Sequence, residues 1–256
     1  MFPIRDELPS GSTPVATYAL IAMNLAAFLW QLSVQGELEA QIGTEVAYQA
    51  RLHGVDPAQY LYFLWLRDHG LVPALITESP LTHWYSVIMG IFLHGGWMHL
   101  LGNLWFLYIF GDNVEDRLGT SRYMLFYVSC GVAASFTQVA ADTASQIPII
   151  GASGAIAGVL GAYLVLFPKA RVVTVIPIFI FLHVVRLPAF VFLVIWLVYQ
   201  NILPVSQAAA DGVAYWAHIG GFVAGAGYLF MQRPRYILPE RSKETGYRSF
   251  DNDGYW

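Results

Sequence analysis

Runs of about twenty apolar residues recur along this chain, and a run of that length needs a bilayer or a very large core to cover it. Of 256 residues, 57% are hydrophobic and only 12% are charged, against roughly 25% charged in soluble domains. That deficit excludes a disordered chain, which needs high charge and low hydrophobicity. The net charge of −4 lacks the basic footprint of a nucleic-acid binder, so no nucleic-acid partner is expected. A disulfide scaffold needs paired cysteines, and Cys130 is alone. The chain reads as a polytopic membrane protein.

Spans are predicted at about 15–35, 86–110, 123–141, 149–167, 187–203 and 213–231. The long segment 36–84 carries Glu37, Glu39, Glu45, Arg51, Asp56, Arg67 and Asp68 but also YLYFLWL. It is expected to pack on protein or lie in the interface. The stretch 168–186, containing VTVIPIFIFLHVV, is open between a re-entrant segment and the start of another span. Residues 1–14 form a short arm before the first span, and 232–256 a flexible polar tail. The expected fold is all-α, a six-helix transmembrane bundle over 15–231.

Lysine and arginine placement sets orientation. With six spans, Arg5, Arg117, Arg122, Lys169, Arg171, Arg233, Arg235, Arg241, Lys243 and Arg248 share one side. Only Arg51 and Arg67 face the other, and Arg186 is unassigned. Both ends of the chain are therefore predicted to be cytoplasmic, in a multi-pass protein of the cell membrane. The basic tail is positioned to touch anionic lipid.

Polar side chains inside a bilayer are costly and gather at functional sites. His94, His99 and Asn103 fall on the second span, Ser153 on the fourth within GASG, and His218 on the sixth. Singly, each has an ordinary explanation. A membrane serine commonly bonds its own i−4 carbonyl, and glycines such as Gly151, Gly154, Gly221 and Gly225 mark close packing. Depth argues for more. Spans two, four and six all enter from the non-cytoplasmic side. Ser153 lies about four residues into its span, ~6–8 Å at ~1.5 Å per residue, and His218 lies at similar depth. Gly154, Gly158 and Gly161 make one stripe on span four, and Ala217, Gly221 and Gly225 a small-residue ridge on span six that shares the His218 face. His99 and Asn103, at i and i+4, share a face of span two.

Serine becomes a nucleophile when a base takes its proton, and His218 is the candidate base. Asp112, Glu115 and Asp116 lie at the opposite end of span two, so the pair is a Ser–His dyad. The Ser153 amide, near a helix N-terminus, and the side chains of His99 and Asn103 are candidate donors to an oxyanion. The chemistry expected is peptide hydrolysis through an acyl-enzyme on Ser153.

These residues resemble the rhomboid family of intramembrane serine proteases over about 81–231. The resemblance rests on HGGWMHLLGN, on FGDNVEDRLG, on GASGAIAG around Ser153, and on AHIGGFVAG after Ala217's neighbour Trp216. It implies a six-helix core, Ser153 as nucleophile, His218 as base, and His99, Asn103 and the Ser153 amide as oxyanion donors. It implies single-span membrane proteins as substrates, with no metal and no cofactor. One departure is visible. Many members carry an aromatic residue four positions after the nucleophile, beneath the base, and here that residue is Ala157. Either another aromatic supports His218 or the base is held less firmly; Trp216 faces elsewhere. His94 is expected to order the loop above the site. Glu115 and Arg117 are expected to tie the turn to helix ends, and Cys130 to act as a small hydrophobe.

Rival classes fit less well. A transporter would show an internal repeat or intramembrane acids. Three histidines could hold zinc, but HExxH is absent from the sequence. A catalytically inactive, client-binding relative would lack the serine or the base.

Overall fold

The apolar segments are helical, though they differ in length and in how they cross the molecule. The computed structural model describes residues 1–178, 181–205 and 213–236. Helices α1 (Val15–Glu39) and α7 (Thr120–Ala141) are each long and apolar enough to cross a bilayer. The predicted second span is a bent pair instead. Helices α5 (Pro80–Phe92) and α6 (Trp97–Leu118) meet at 76°. Between them Gly96 takes φ +154°, a conformation that glycine alone adopts at no steric cost. His94 therefore lies in the break and not on a span. At its other end α6 runs on through most of FGDNVEDRLG and stops at Leu118.

The segment 36–84 folds as α2 (Thr44–Leu52), α3 (Pro57–His69) and α4 (Pro73–Glu78), leading into α5. Asp56 caps α3 by accepting from the amides of Ala58 and Gln59, and Pro57 suits the first turn. After α3, Leu71 pairs with Ile149, which ties this layer to the chain just before Ser153.

Helix α8 (Ser153–Leu166) is central, with every residue from Gly154 to Tyr163 buried. A helix apolar on all faces belongs in a core. The final helix, α11 (Tyr215–Tyr236), packs along it, and so the first residues of the predicted tail are helical; 237–256 lie outside the described residues. The predicted fifth span starts as α9 (Ala189–Leu197), widens into a π turn (Val198–Ile202), and ends in the short α10 (Leu203–Val205).

The chain is mostly helical, but the all-α expectation needs one correction. The segment 168–186, left open between a re-entrant segment and a span start, holds strands, not a spanning helix, over its described part. Strands β2 (Arg171–Ile178) and β3 (Phe181–Pro188) pair antiparallel, and β1 (Phe2–Asp6) joins on the free side of β2. The β-branched run VVTVI favours a strand, and prolines disfavour continuing helix. Arg186 pairs with Glu7 at 2.7 Å, so it joins Arg5 and Arg171 at the sheet end of the molecule.

That end is anchored by two carboxylates, buried Glu115 and half-buried Asp6. Glu115 on α6, 2% exposed, accepts from the amides of Ala16 and Thr17 and from the Thr17 hydroxyl, all at 2.8 Å. It serves as the N-terminal cap of α1, where Pro14 offers no side-chain acceptor, and its charge faces the positive end of the helix dipole. The expected role of Glu115 at a helix end is therefore met through α1. Arg117 lies over the Phe167 ring at 5.2 Å. Strand β1 docks through Trp105, whose indole donates to the Pro3 carbonyl at 2.7 Å. Asp6 accepts from the Tyr163 hydroxyl at 2.6 Å and from the Asn113 amide at 2.8 Å.

Burial pushes the Asp6 carboxyl up to about 7, against the lowering effect of the Tyr163 hydrogen bond and with help from nearby Asp112. A carboxyl with a raised folded pKa holds its proton more tightly in the fold than in the unfolded chain. Ionised Asp6 thus weakens the docked strand above pH about 7, and this cost fades as pH falls through 7 towards the unfolded value of 3.8. Amide exchange of residues 2–6, corrected for intrinsic rate, is expected to show more protection at about pH 5.5 than at about pH 8. In Asp6→Asn the difference disappears; an unchanged pH dependence contradicts this account.

Candidate active site

Ser153 is the first residue of α8 and not four residues into it. Before it Gly151 takes φ +119° and Ala152 turns into the helix, so the Ser153 hydroxyl sits at the mouth of the helix. Its amide belongs to the first turn, where amides have no acceptor within the helix. His218 is in the first turn of α11.

Glycines bring these two helix starts together. A Cβ placed on Gly221 would fall on the Gly154 carbonyl, and one on Gly225 on the Gly158 carbonyl. On α8, a Cβ at Gly161 would strike the Phe222 carbonyl, while Gly154 and Gly158 are pressed from the other side by Ala134 and Cys130 of α7. The predicted ridges therefore face one another, and Cys130 is the buried packing residue expected of it. Backbones this close allow short side chains to meet. The Ser153 hydroxyl lies 2.7 Å from His218 Nε2, within hydrogen-bond reach for a nucleophile and its base.

The other face of His218 holds a partner that sequence reading missed. Its Nδ1 is 2.6 Å from Oδ1 of Asn201, which is fully buried in the π turn. From the end of α9, just before that turn, the Trp196 ring lies 6.2 Å from the imidazole, tilted by 39°. Another aromatic thus stands beside His218 where Ala157, fully buried, leaves none on α8.

The proposed oxyanion donors line the chain just before Ser153. Gly151 has φ +119°, and a Cβ there would lie 2.7 Å from His99 Nε2 and 3.7 Å from Asn103 Nδ2. Glycine is needed on both counts. The Gly151 amide donates to the Gly90 carbonyl at 2.8 Å, fixing this segment to α5. His99 Nδ1 accepts from the Gly95 amide at 3.3 Å, which leaves the ring proton on Nε2, the atom nearer Gly151. Asn103 is 7% exposed, and its Nδ2 has no hydrogen-bond partner among the described residues. A buried donor without an acceptor is costly and calls for a specific explanation. Beside Ser153, a void of about 20 Å³ is lined by Gly90, Ala134, Gly151, Gly154 and Ala217, room for a methyl group or one water.

His94 touches neither Ser153 nor His218. Its ring is edge-on to His99 at 5.2 Å, and its Nδ1 donates to the Phe92 carbonyl at 3.1 Å. The larger role falls to its main chain. Gln31 of α1, fully buried, accepts from the His94 amide at 2.9 Å and donates to the His94 carbonyl at 3.1 Å. The same Gln31 amide donates to the Tyr62 hydroxyl of α3 at 2.8 Å. The first helix and the following layer thereby clamp the α5–α6 break. The sequence signals for Gln31 and Asn201 were slight: uncharged polar residues within the mostly apolar runs FLWQLSV and LVYQNIL.

Comparison with known proteins agrees with this architecture. A family model described as the Rhomboid domain matches residues 81–235. RHOMBOID-like protein 5 of Arabidopsis thaliana is 31% identical over 166 residues, covering 59% of this chain and 46% of that protein. Rhomboid protease GluP of Bacillus subtilis (strain 168) is 40% identical over 81 residues, 32% of this chain and 15% of that protein. The human presenilin-associated rhomboid-like protein, mitochondrial, is 26% identical over 196 residues, 71% of this chain and 48% of that protein. The chain spans less than half the length of these curated relatives. With the family match covering most of its length, this chain belongs to the rhomboid family, a family of multi-pass integral membrane proteins.

Replacing Gln31 by Leu strands the His94 amide and carbonyl in a buried place. A loss of about 2–3 kcal/mol is expected, read as a lower thermal midpoint of the purified protein in detergent. Gln31→Glu, which keeps only the acceptor, falls between. A Leu variant as stable as the wild type contradicts the clamp.

Proposed function

We propose that this chain is an intramembrane serine endopeptidase that cuts single-span membrane proteins within or beside their spanning segment. The observation that carries the reading is the 2.7 Å contact between the Ser153 hydroxyl and His218 Nε2. In the reaction, Ser153 Oγ attacks the scissile carbonyl carbon while its proton passes to His218 Nε2. The carbonyl oxygen becomes an oxyanion and accepts from the Ser153 amide, His99 Nε2–H and Asn103 Nδ2. Collapse breaks the C–N bond, and His218 returns the proton to the departing amine. A water then loses a proton to His218 and attacks the acyl carbon; the acyl C–Oγ bond breaks as His218 hands that proton to Ser153 Oγ, releasing a carboxylic acid and restoring both side chains. Each proton and bond in this cycle is accounted for by protein groups and water, so no metal or cofactor is required.

The topology proposed with it has six spans, both ends of the chain in the cytoplasm of a cell-membrane protein, and the site opening to the other side. Arg186 adds to the basic side, because it lies in the sheet with Arg5 and Arg171. The 14 residues of α8 reach about 21 Å, short of a hydrocarbon core of about 30 Å. A helix this short starts below the membrane surface, which keeps Ser153 recessed yet within reach of water. The small void beside Ser153 suits a substrate with small residues at the cut.

The test is cleavage of a model single-span substrate by the purified chain. Wild type is expected to cut it, Ser153→Ala and His218→Ala to leave it intact, and Asn103→Ala to lose about 10²–10³ in kcat. Cleavage that survives in Ser153→Ala but stops with a chelator defeats the serine mechanism. A folded wild type that binds the substrate and never cuts it makes this chain a client-binding protein.

A further inference from the structure

We infer that Asn201 is a positioning residue for His218, holding the imidazole in the one tautomer and orientation that Ser153 can use. The inference rests on the proposed Ser153–His218 chemistry and extends the pair to a Ser–His–Asn relay of hydrogen bonds.

Three observations carry it. The first is the network itself. Asn201 Nδ2 donates to the Trp196 carbonyl at 3.2 Å, so the side-chain oxygen is the end that faces His218, at 2.6 Å from Nδ1. An amide oxygen only accepts, so Nδ1 carries the ring proton and Nε2 presents its lone pair to the Ser153 hydroxyl. The opposite tautomer would put a proton on Nε2, where it could take none from serine. When His218 becomes an imidazolium, Oδ1 continues to accept from Nδ1–H, and the proton stays on the ring because an amide does not take it.

The second observation is the backbone beneath Asn201. Residues Val198–Ile202 form a π turn, a rare, widened turn found mostly at functional sites. The Asn201 side chain bonds the carbonyl five residues back, so the wide turn both holds Asn201 and is stitched by it. The third is what flanks the imidazole. Trp196, at the end of α9 just before the turn, stands beside the ring, whereas the α8 position below Ser153 is the small Ala157. Orientation of the base falls to the α9 side of the site, through Asn201 and Trp196 together.

The experiment combines kinetics with a readout that needs no substrate. In detergent, Asn201→Leu is expected to lower kcat about 10- to 100-fold, with KM within about two-fold, because substrate contacts are untouched. Asn201→Asp keeps an acceptor beside Nδ1 and is expected to restore most of the loss. Nitrogen NMR of the histidine-labelled, resting wild type should find His218 protonated on Nδ1 alone, and Asn201→Leu should lose that single tautomer. If the Leu variant does not fold, the wild-type tautomer and the Asp variant still decide. His218 protonated on Nε2 in the wild type, or an Asn201→Leu variant with unchanged kcat and tautomer, overturns the inference. A wild type with the Nδ1 tautomer but no Ser153-dependent cleavage defeats the protease reading and leaves the positioning geometry standing.

Discussion

Backbone contact between α8 and α11 is the constraint on which the site depends. Lipid tails are as apolar as leucine, so helices in a membrane associate by close packing more than by exclusion of water. Here the contact is reduced to glycine against carbonyl: Gly221 on Gly154, Gly225 on Gly158, and Gly161 on Phe222. A serine side chain is short, and its hydroxyl reaches an imidazole on another helix only when the axes are this near. One methyl group at any of these positions would push the helices apart and open the 2.7 Å contact between Ser153 and His218. Because α7 presses Cys130 and Ala134 into the other side of α8, the helix that carries Ser153 is gripped from two directions.

Everything else sets the remaining groups against that pair. Gln31 holds the main chain of His94, which fixes the break before α6 and with it the approach of His99 and Asn103 to Gly151. At the far end, Glu115 closes the start of α1, and β1 straps the sheet to α6 and α8 through Trp105 and Tyr163. Polar groups therefore do two different jobs in this chain. Near the sheet, Glu115 and Asp6 accept several hydrogen bonds within the protein, while Asn103 keeps an unpaired donor in the layer that holds Ser153.

Much of this was legible because polar residues are so sparse. Ser153, His218, His99 and Asn103 stood out against an apolar background, and helical spacing placed the glycine stripes on facing sides. What sequence could not reveal depended on geometry between distant segments. A single apolar run, 86–110, gave no sign of a 76° bend beyond the adjacent Gly95 and Gly96. The strands were hidden because a β-branched apolar run and a buried helix have the same hydropathy, and their pairing joins residues 2–6 to 171–188. Asn201 was missed because the third partner was sought among carboxylates. Its value as an acceptor appears only when the π turn brings it to His218. The depth estimate for Ser153 was displaced for a related reason: residues 149–152 were counted as helix, yet Ile149 pairs with Leu71 and Gly151 is held in a conformation that no helix contains.

The central claim is that Ser153 is a nucleophile activated by its neighbours. The most direct measurement is the mass and position of the adduct formed when the folded protein is treated with a serine-directed fluorophosphonate. The account predicts one adduct, mapped to Ser153, whose formation slows sharply in His218→Ala although that variant remains folded. A folded wild type that forms no adduct, or one modified at another residue, would contradict it.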